Sequence, residues 1–162
     1  MPNSQAWARY SVKKPRKNYI RALPHTALQA FNMGTISDKY DLTLSLTTEM
    51  PLQIRSNALE AARRVANQYL ETSITVANYS LKLLVFPHNV IREHKMAVGA
   101  GADRISRGMS LAFGRPVSVA ARLKSGQPLF ELKTMKENRN IAVHALKRAQ
   151  GKLPGTYKVK VQ

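Results

Sequence analysis

Between two well-patterned strands the chain interposes a long segment, Pro87 to Pro116, that keeps neither the two-residue period of a strand nor the helical period. This segment constrains the fold more than any other feature. The core has to be specified by what flanks it, and a connection of this length in a compact domain is usually functional or disordered. Gly99, Gly101, Gly108 and Gly114 allow its backbone to turn and to approach a partner closely. Arg92, Lys95, Arg104, Arg107 and Arg115 are spaced along it, against only Glu93 and Asp103. A glycine-hinged finger studded with arginine is suited to phosphate contacts. A solvated, poorly ordered insertion is the alternative that composition leaves open.

The partner class follows from charge. The chain has 162 residues, enough for one domain with a real core, and 44% of them are hydrophobic. Lys and Arg number 26 against 9 Asp and Glu, a formal net charge of +17. Such an excess repels itself in a compact fold, so a polyanion is the expected partner, with nucleic acid first. A membrane surface is disfavoured, because no helix joins a strongly basic face to a large apolar one. No apolar run approaches the roughly 20 residues of a membrane span. The basic N-terminus is not followed by an apolar signal core, so a cytoplasmic protein is expected. There is no Cys, hence no disulfide framework and no thiolate metal site.

Residues 1–21 read as a basic arm. Arg9, Lys13, Lys14, Arg16, Lys17 and Arg21 alternate with Trp7, Tyr10 and Tyr19, and no acid interrupts them. Cations neutralise phosphates while rings stack on bases or sugars. The arm carries no strand or helix pattern and is expected to be mobile without RNA. Residues 22–162 read as a single α+β domain containing the 87–116 loop.

Within that domain, Leu28 to Phe31 is a short candidate strand ended by Asn32-Met33-Gly34. Asp41 to Thr48 alternates Leu42, Leu44 and Leu46 with Thr43, Ser45 and Thr47, the mark of a half-buried strand. Pro51 suits a first helical turn, and Leu52, Leu59, Ala62, Ala66 and Tyr69 predict a helix over 52–71. Arg55, Arg63 and Arg64 lie off that stripe, as a solvated face would. Tyr79 to Phe86 is a strand stopped by Pro87. Val117–Lys124 and Pro128–Thr134 flank Ser125-Gly126-Gln127 as a hairpin. Ile141, Ala142, Ala145, Leu146 and Ala149 predict a second helix over 136–150, with Gly151 at its stop. Tyr157 to Val161 is a last strand. The expected architecture is one mixed or antiparallel sheet with both helices on one face.

Catalytic motifs are missing. Gly99-Ala100-Gly101 begins like a dinucleotide fingerprint, but Arg104 occupies the third glycine position, and no Gly-Lys-Ser/Thr closes a phosphate loop. His25, His88, His94 and His144 are scattered without the carboxylates or thiols a metal site needs. Acid/base pairs are scarce, with only Glu93 and Asp103 in the finger. No cofactor is expected.

The segment from Gln53 to Arg63, the run Lys95-Met96-Ala97-Val98-Gly99-Ala100-Gly101-Ala102-Asp103-Arg104, Gly108-Met109 and Ala112-Phe113-Gly114-Arg115-Pro116 together resemble one family. It is the archaeal and eukaryotic type of the universal large-subunit ribosomal protein L-sixteen family, also called L-ten-e. Tyr19-Ile20-Arg21 and Lys152-Leu153-Pro154 match as well, so the resemblance covers roughly residues 15 to 160. It implies an α+β structural protein of the large subunit with no enzymatic activity. It also implies contact with large-subunit rRNA, neighbouring ribosomal proteins, tRNA nearby and no homo-oligomer, with the long loop directed toward the peptidyl-transferase region. The family's RNA-facing positions fall on Arg21, Arg55, Arg92, Lys95, Arg104, Arg115 and Arg122. Arg16, Lys17 and Arg107 join them on charge. The sequence departs from the family pattern at Ser56, His94, Arg107 and Ser110. The competing classes are an RNA-processing or RNA-modifying enzyme that uses the glycine loop, and a transient assembly or translation factor.

Overall fold

Leu44 and Leu46 of β2 (Leu42–Thr48) are fully buried, as the leucine alternation predicts, but Ser45 and Thr47 on the other face are buried too, so the strand is covered on more than the one side expected. The computed structural model describes residues 8, 20, 22–37, 39–110 and 112–161. Of the basic arm only Ala8 and Ile20 are among them; Arg16, Lys17 and Arg21 lie outside the described residues. In chain order the elements are β1 (Asn32–Gly34), β2, β3 (Leu52–Arg55), α1 (Ser56–Ser73), β4 (Tyr79–Leu83), β5 (Asn89–Glu93), α2 (Ala102–Ile105), β6 (Arg115–Leu123), β7 (Pro128–Thr134), α3 (Arg139–Gln150) and β8 (Tyr157–Val161).

The architecture is α+β, with α1 and α3 as its long helices, but the strands form two sheets rather than one. A five-stranded sheet runs β1-β4-β7-β2-β8 and a three-stranded sheet runs β3-β6-β5, each antiparallel throughout. The expected hairpin between β6 and β7 is not formed. The turn at 124–127 is present, with Gln127 N donating to Lys124 O, but it hands the chain from the small sheet to the large one. Turn chemistry is local, whereas strand partners are chosen by the faces to be buried. Val119, Ala121 and Leu123 of β6 point inward beside Leu52, Ile54 and Val90, while β7 inserts between β2 and β4.

Two other boundaries shift for the same reason. Residues 52–55 form a strand, and the helix begins at Ser56. Leu52 and Ile54 are compatible with either period, and pairing with Leu123 and Ala121 decides for the strand. The first short strand lies at Asn32–Gly34, not over 28–31. Gly34 adopts φ +79, and a Cβ there would overlap the Tyr79 carbonyl, so the residue that reads as a strand stop is what lets β1 reach β4.

One core serves both sheets. Leu59, Ala62, Ala66 and Leu70 of α1 and Ala142, Ala145, Leu146 and Ala149 of α3 pack on Leu44, Leu46, Leu81, Phe130 and Leu132. Both helices therefore cover the same face of the large sheet, and α1 also touches β3 and β6. Arg63 departs from the solvated face expected of it. It is buried with Glu60, whose carboxylate accepts from Arg63 Nε at 2.8 Å.

Candidate nucleic-acid interface

The small sheet is the base from which the finger projects. β5 and β6 pair antiparallel from Asn89↔Ala120 to Glu93↔Arg115, with a bulge after Ile91. Beyond Glu93 the chain leaves the sheet and returns at Arg115. Side chains hold this neck. Arg92 Nη1 donates to the Gly114 carbonyl at 3.0 Å, and its guanidinium lies 4.2 Å from the Phe113 ring centroid. His94 Nε2 donates to the Gly108 carbonyl at 2.7 Å, tying residues on opposite sides of the excursion. Gly114 has φ +76, and a Cβ there would stand 2.8 Å from the Glu93 carbonyl carbon. Only glycine lets the two sides of the neck come this close.

The finger also has local structure of its own. Ala102–Ile105 make one helical turn after Gly101, which sits at φ +78. Ser106 closes the turn by donating from its backbone N–H and its hydroxyl to Ala102 O, at 2.9 and 3.0 Å. Gly99 and Gly108 likewise have positive φ, with open space where a Cβ would be. The composition reads as loop throughout 87–116, yet its ends are strand and its middle holds this turn.

The predicted cations divide into three groups. Lys95, Arg104 and Arg107 stand exposed on the finger, where Lys95 makes a loose 4.0 Å ion pair with Glu93. Arg92 and Arg115 stand at the neck; Arg92 is half-buried and held by its own chain, and Arg115 is exposed opposite Glu93. Arg55 and Arg122 are half-buried on the face of the small sheet that points away from the core, since they alternate with the inward Ile54, Ala121 and Leu123. There Asn89 Nδ2 donates to Gln53 Oε1 at 3.0 Å in a buried bond across β6.

Charge was legible in the sequence; the apolar part of the site was not. Met96, Val98, Ile105, Met109 and Phe113 are exposed large hydrophobics of this segment, Val98 at 99% and Ile105 at 81%. Isolated surface hydrophobics need no explanation, but five along one excursion do. They give the finger an uncovered apolar surface between the exposed cations Lys95, Arg104 and Arg107. The signal was present as hydrophobic residues that fit no core period. Holding the neck in one geometry reduces the ordering cost of binding. Among the described residues no cluster of His, Cys, Asp or Glu could hold a metal ion, and no helix is long and apolar enough to cross a membrane.

A family model described as ribosomal protein L16p/L10e matches residues 7–160. Several relatives carry the name large ribosomal subunit protein uL16. That of Archaeoglobus fulgidus is 46% identical over 159 residues, covering 98% of this chain and 91% of the relative. That of Staphylothermus marinus is 45% identical over 139 residues, covering 86% and 80%. That of Methanocella arvoryzae is 42% identical over 147 residues, covering 91% and 86%.

Proposed function

Because the chain belongs to the ribosomal protein L16p/L10e family, whose members are structural proteins of the large ribosomal subunit and not enzymes, we propose that it binds large-subunit rRNA and aims the 92–109 segment at the tRNA sites beside the peptidyl-transferase region. The observation that carries this reading is the finger. Its exposed Lys95, Arg104 and Arg107, its uncovered apolar side chains and its side-chain-held neck offer an RNA partner both charge and surface. In this reading Arg55, Arg115 and Arg122 contact rRNA near the base of the finger, and Arg16, Lys17 and Arg21 contribute through the arm. The protein works in the cytoplasmic ribosome among other ribosomal proteins, as a single copy and without a cofactor.

The role is positional. No acid/base step is assigned to the finger; its cations screen phosphate repulsion where RNA segments converge. A photo-crosslinker in place of Val98, the most exposed apolar side chain among the finger's described residues, tests the location in assembled subunits. Crosslinks to rRNA or bound tRNA are expected. Crosslinks confined to proteins would overturn the placement.

A further inference from the structure

The finger does not account for the charge on α3. Arg139, His144, Lys147, Arg148 and Lys152 are all exposed along this helix and just past its end, and no acid occurs from Asn138 to the C-terminus. Among the described residues Arg139, Lys147, Arg148 and Lys152 are in no ion pair. Lys147 and Arg148 follow His144 at three- and four-residue spacing and share one side of the helix, and Lys152 stands in the turn just past its end.

Folding explains only part of this stripe. Lys147 and Arg148 lie in the last turn, where cations complement the helix dipole, and Arg148 lies 4.6 Å from the Tyr69 ring centroid. Arg139 opens the helix, where the same dipole disfavours a cation, and no acidic residue accompanies it in the first turn. Stability alone would not select this arrangement, whereas a polyanionic partner would.

We propose that the exposed face of α3 is a second RNA surface that seats the phosphate backbone of a double-stranded segment, an inference that rests on the rRNA-binding reading above. The chemistry favours a duplex over a single strand. Single-strand binding relies on aromatic platforms for base stacking; no Phe, Tyr or Trp occurs from Lys136 to Lys152, and the neighbouring Tyr69 ring of α1 is half-buried with the Arg148 guanidinium over it. Paired RNA is recognised through phosphates, 2′-hydroxyls and shape, which exposed cations on a helix and the turn after it can meet. The position is separate from the finger. α3 packs on β2, β7, β8 and α1, while the finger leaves the β5–β6 edge of the other sheet.

The test uses the full chain carrying Arg139→Gln, Lys147→Gln and Lys152→Gln together. Arg148 is left in place because it packs on Tyr69, and melting temperature checks the fold. Binding is measured to a short blunt RNA duplex of arbitrary sequence across a salt series. The variant is expected to bind the duplex at least about tenfold more weakly, with a salt slope shallower by about 2 to 3. The charge-keeping set Arg139→Lys, Lys147→Arg and Lys152→Arg is expected to bind like the parent. Removing Lys95, Arg104 and Arg107 instead is expected to leave duplex affinity within about threefold. Unchanged duplex binding by a folded triple-Gln variant would overturn the proposal. So would a parent that binds acidic peptide but no duplex. A parent that binds large-subunit rRNA but no duplex would overturn this inference alone, and one that binds neither would overturn the rRNA reading with it.

Discussion

Replacing Glu60 by Ala is expected to lower the unfolding free energy by about 3–5 kcal/mol, because it strands a buried guanidinium. Glu60 and Arg63 are 6% and 9% exposed. The carboxylate accepts from Arg63 Nε and Nη2, accepts the Gln29 backbone N–H at 3.4 Å, and lies 3.6 Å from Arg64 Nη2. Arg63 Nη1 in turn reaches Met33 Sδ at 3.2 Å. One carboxylate thus joins α1 to the segment that leads into β1. The side-chain bonds from Arg63 hold the Glu60 carboxyl below the usual carboxylate range, against the opposing effect of burial. A carboxyl depressed in the folded state stabilises fully above its unfolded value of about 4.3, and that stabilisation is lost as pH falls through the lower folded value. Urea midpoints of the parent and of Glu60→Gln should therefore differ at neutral pH and converge in acid. A gap that stays constant from neutral pH into acid would contradict the assignment.

The variant Lys95→Ala, Arg104→Ala, Arg107→Ala is expected to do the opposite, leaving the fold intact and weakening RNA binding. All three side chains are exposed and contribute nothing to the core. Stability should stay within about 0.5 kcal/mol of the parent, as for surface changes generally. Each lost charge-assisted bond to phosphate is worth roughly 1.5–3 kcal/mol at most, so the combined loss of affinity for large-subunit rRNA can exceed a hundredfold. Arg92 does not belong in this set. Its bond to the Gly114 carbonyl and its contact with Phe113 make it a brace for the neck, and its removal would confuse loss of shape with loss of charge. Binding by gel shift, with melting curves alongside, separates the two. A folded variant that binds rRNA like the parent would make the finger's cations irrelevant to RNA.

The fold was legible wherever one side of an element had to be dry. Leu42, Leu44 and Leu46 mark β2, and Ala142, Ala145, Leu146 and Ala149 mark α3, because burial of one face leaves a period in the sequence. What escaped was decided at long range. β3 is too short for its period to compete with the helix it runs into, and β5 is hidden in a segment that reads as loop. The separation into two sheets depends on which strands β6 and β7 choose, and the turn between them carries no trace of that choice. Arg63 looked solvated because the partner that permits its burial, Glu60, lies one helical turn away on the same exposed-looking face. At the candidate site the cations and the glycines could be read directly. The neck could not, since His94 to Gly108 and Arg92 to Gly114 are contacts across many residues of irregular chain.

In the proposed role the net charge of +17 serves rRNA binding. The most direct measurement is the affinity of the full chain for large-subunit rRNA as a function of salt. Each phosphate neutralised should add about −0.7 to −0.9 to the slope of log affinity against log salt. The expected result is a steep line that becomes shallower by about 2 to 3 when Lys95, Arg104 and Arg107 are removed. A flat line, or a slope unchanged in that variant, would contradict it.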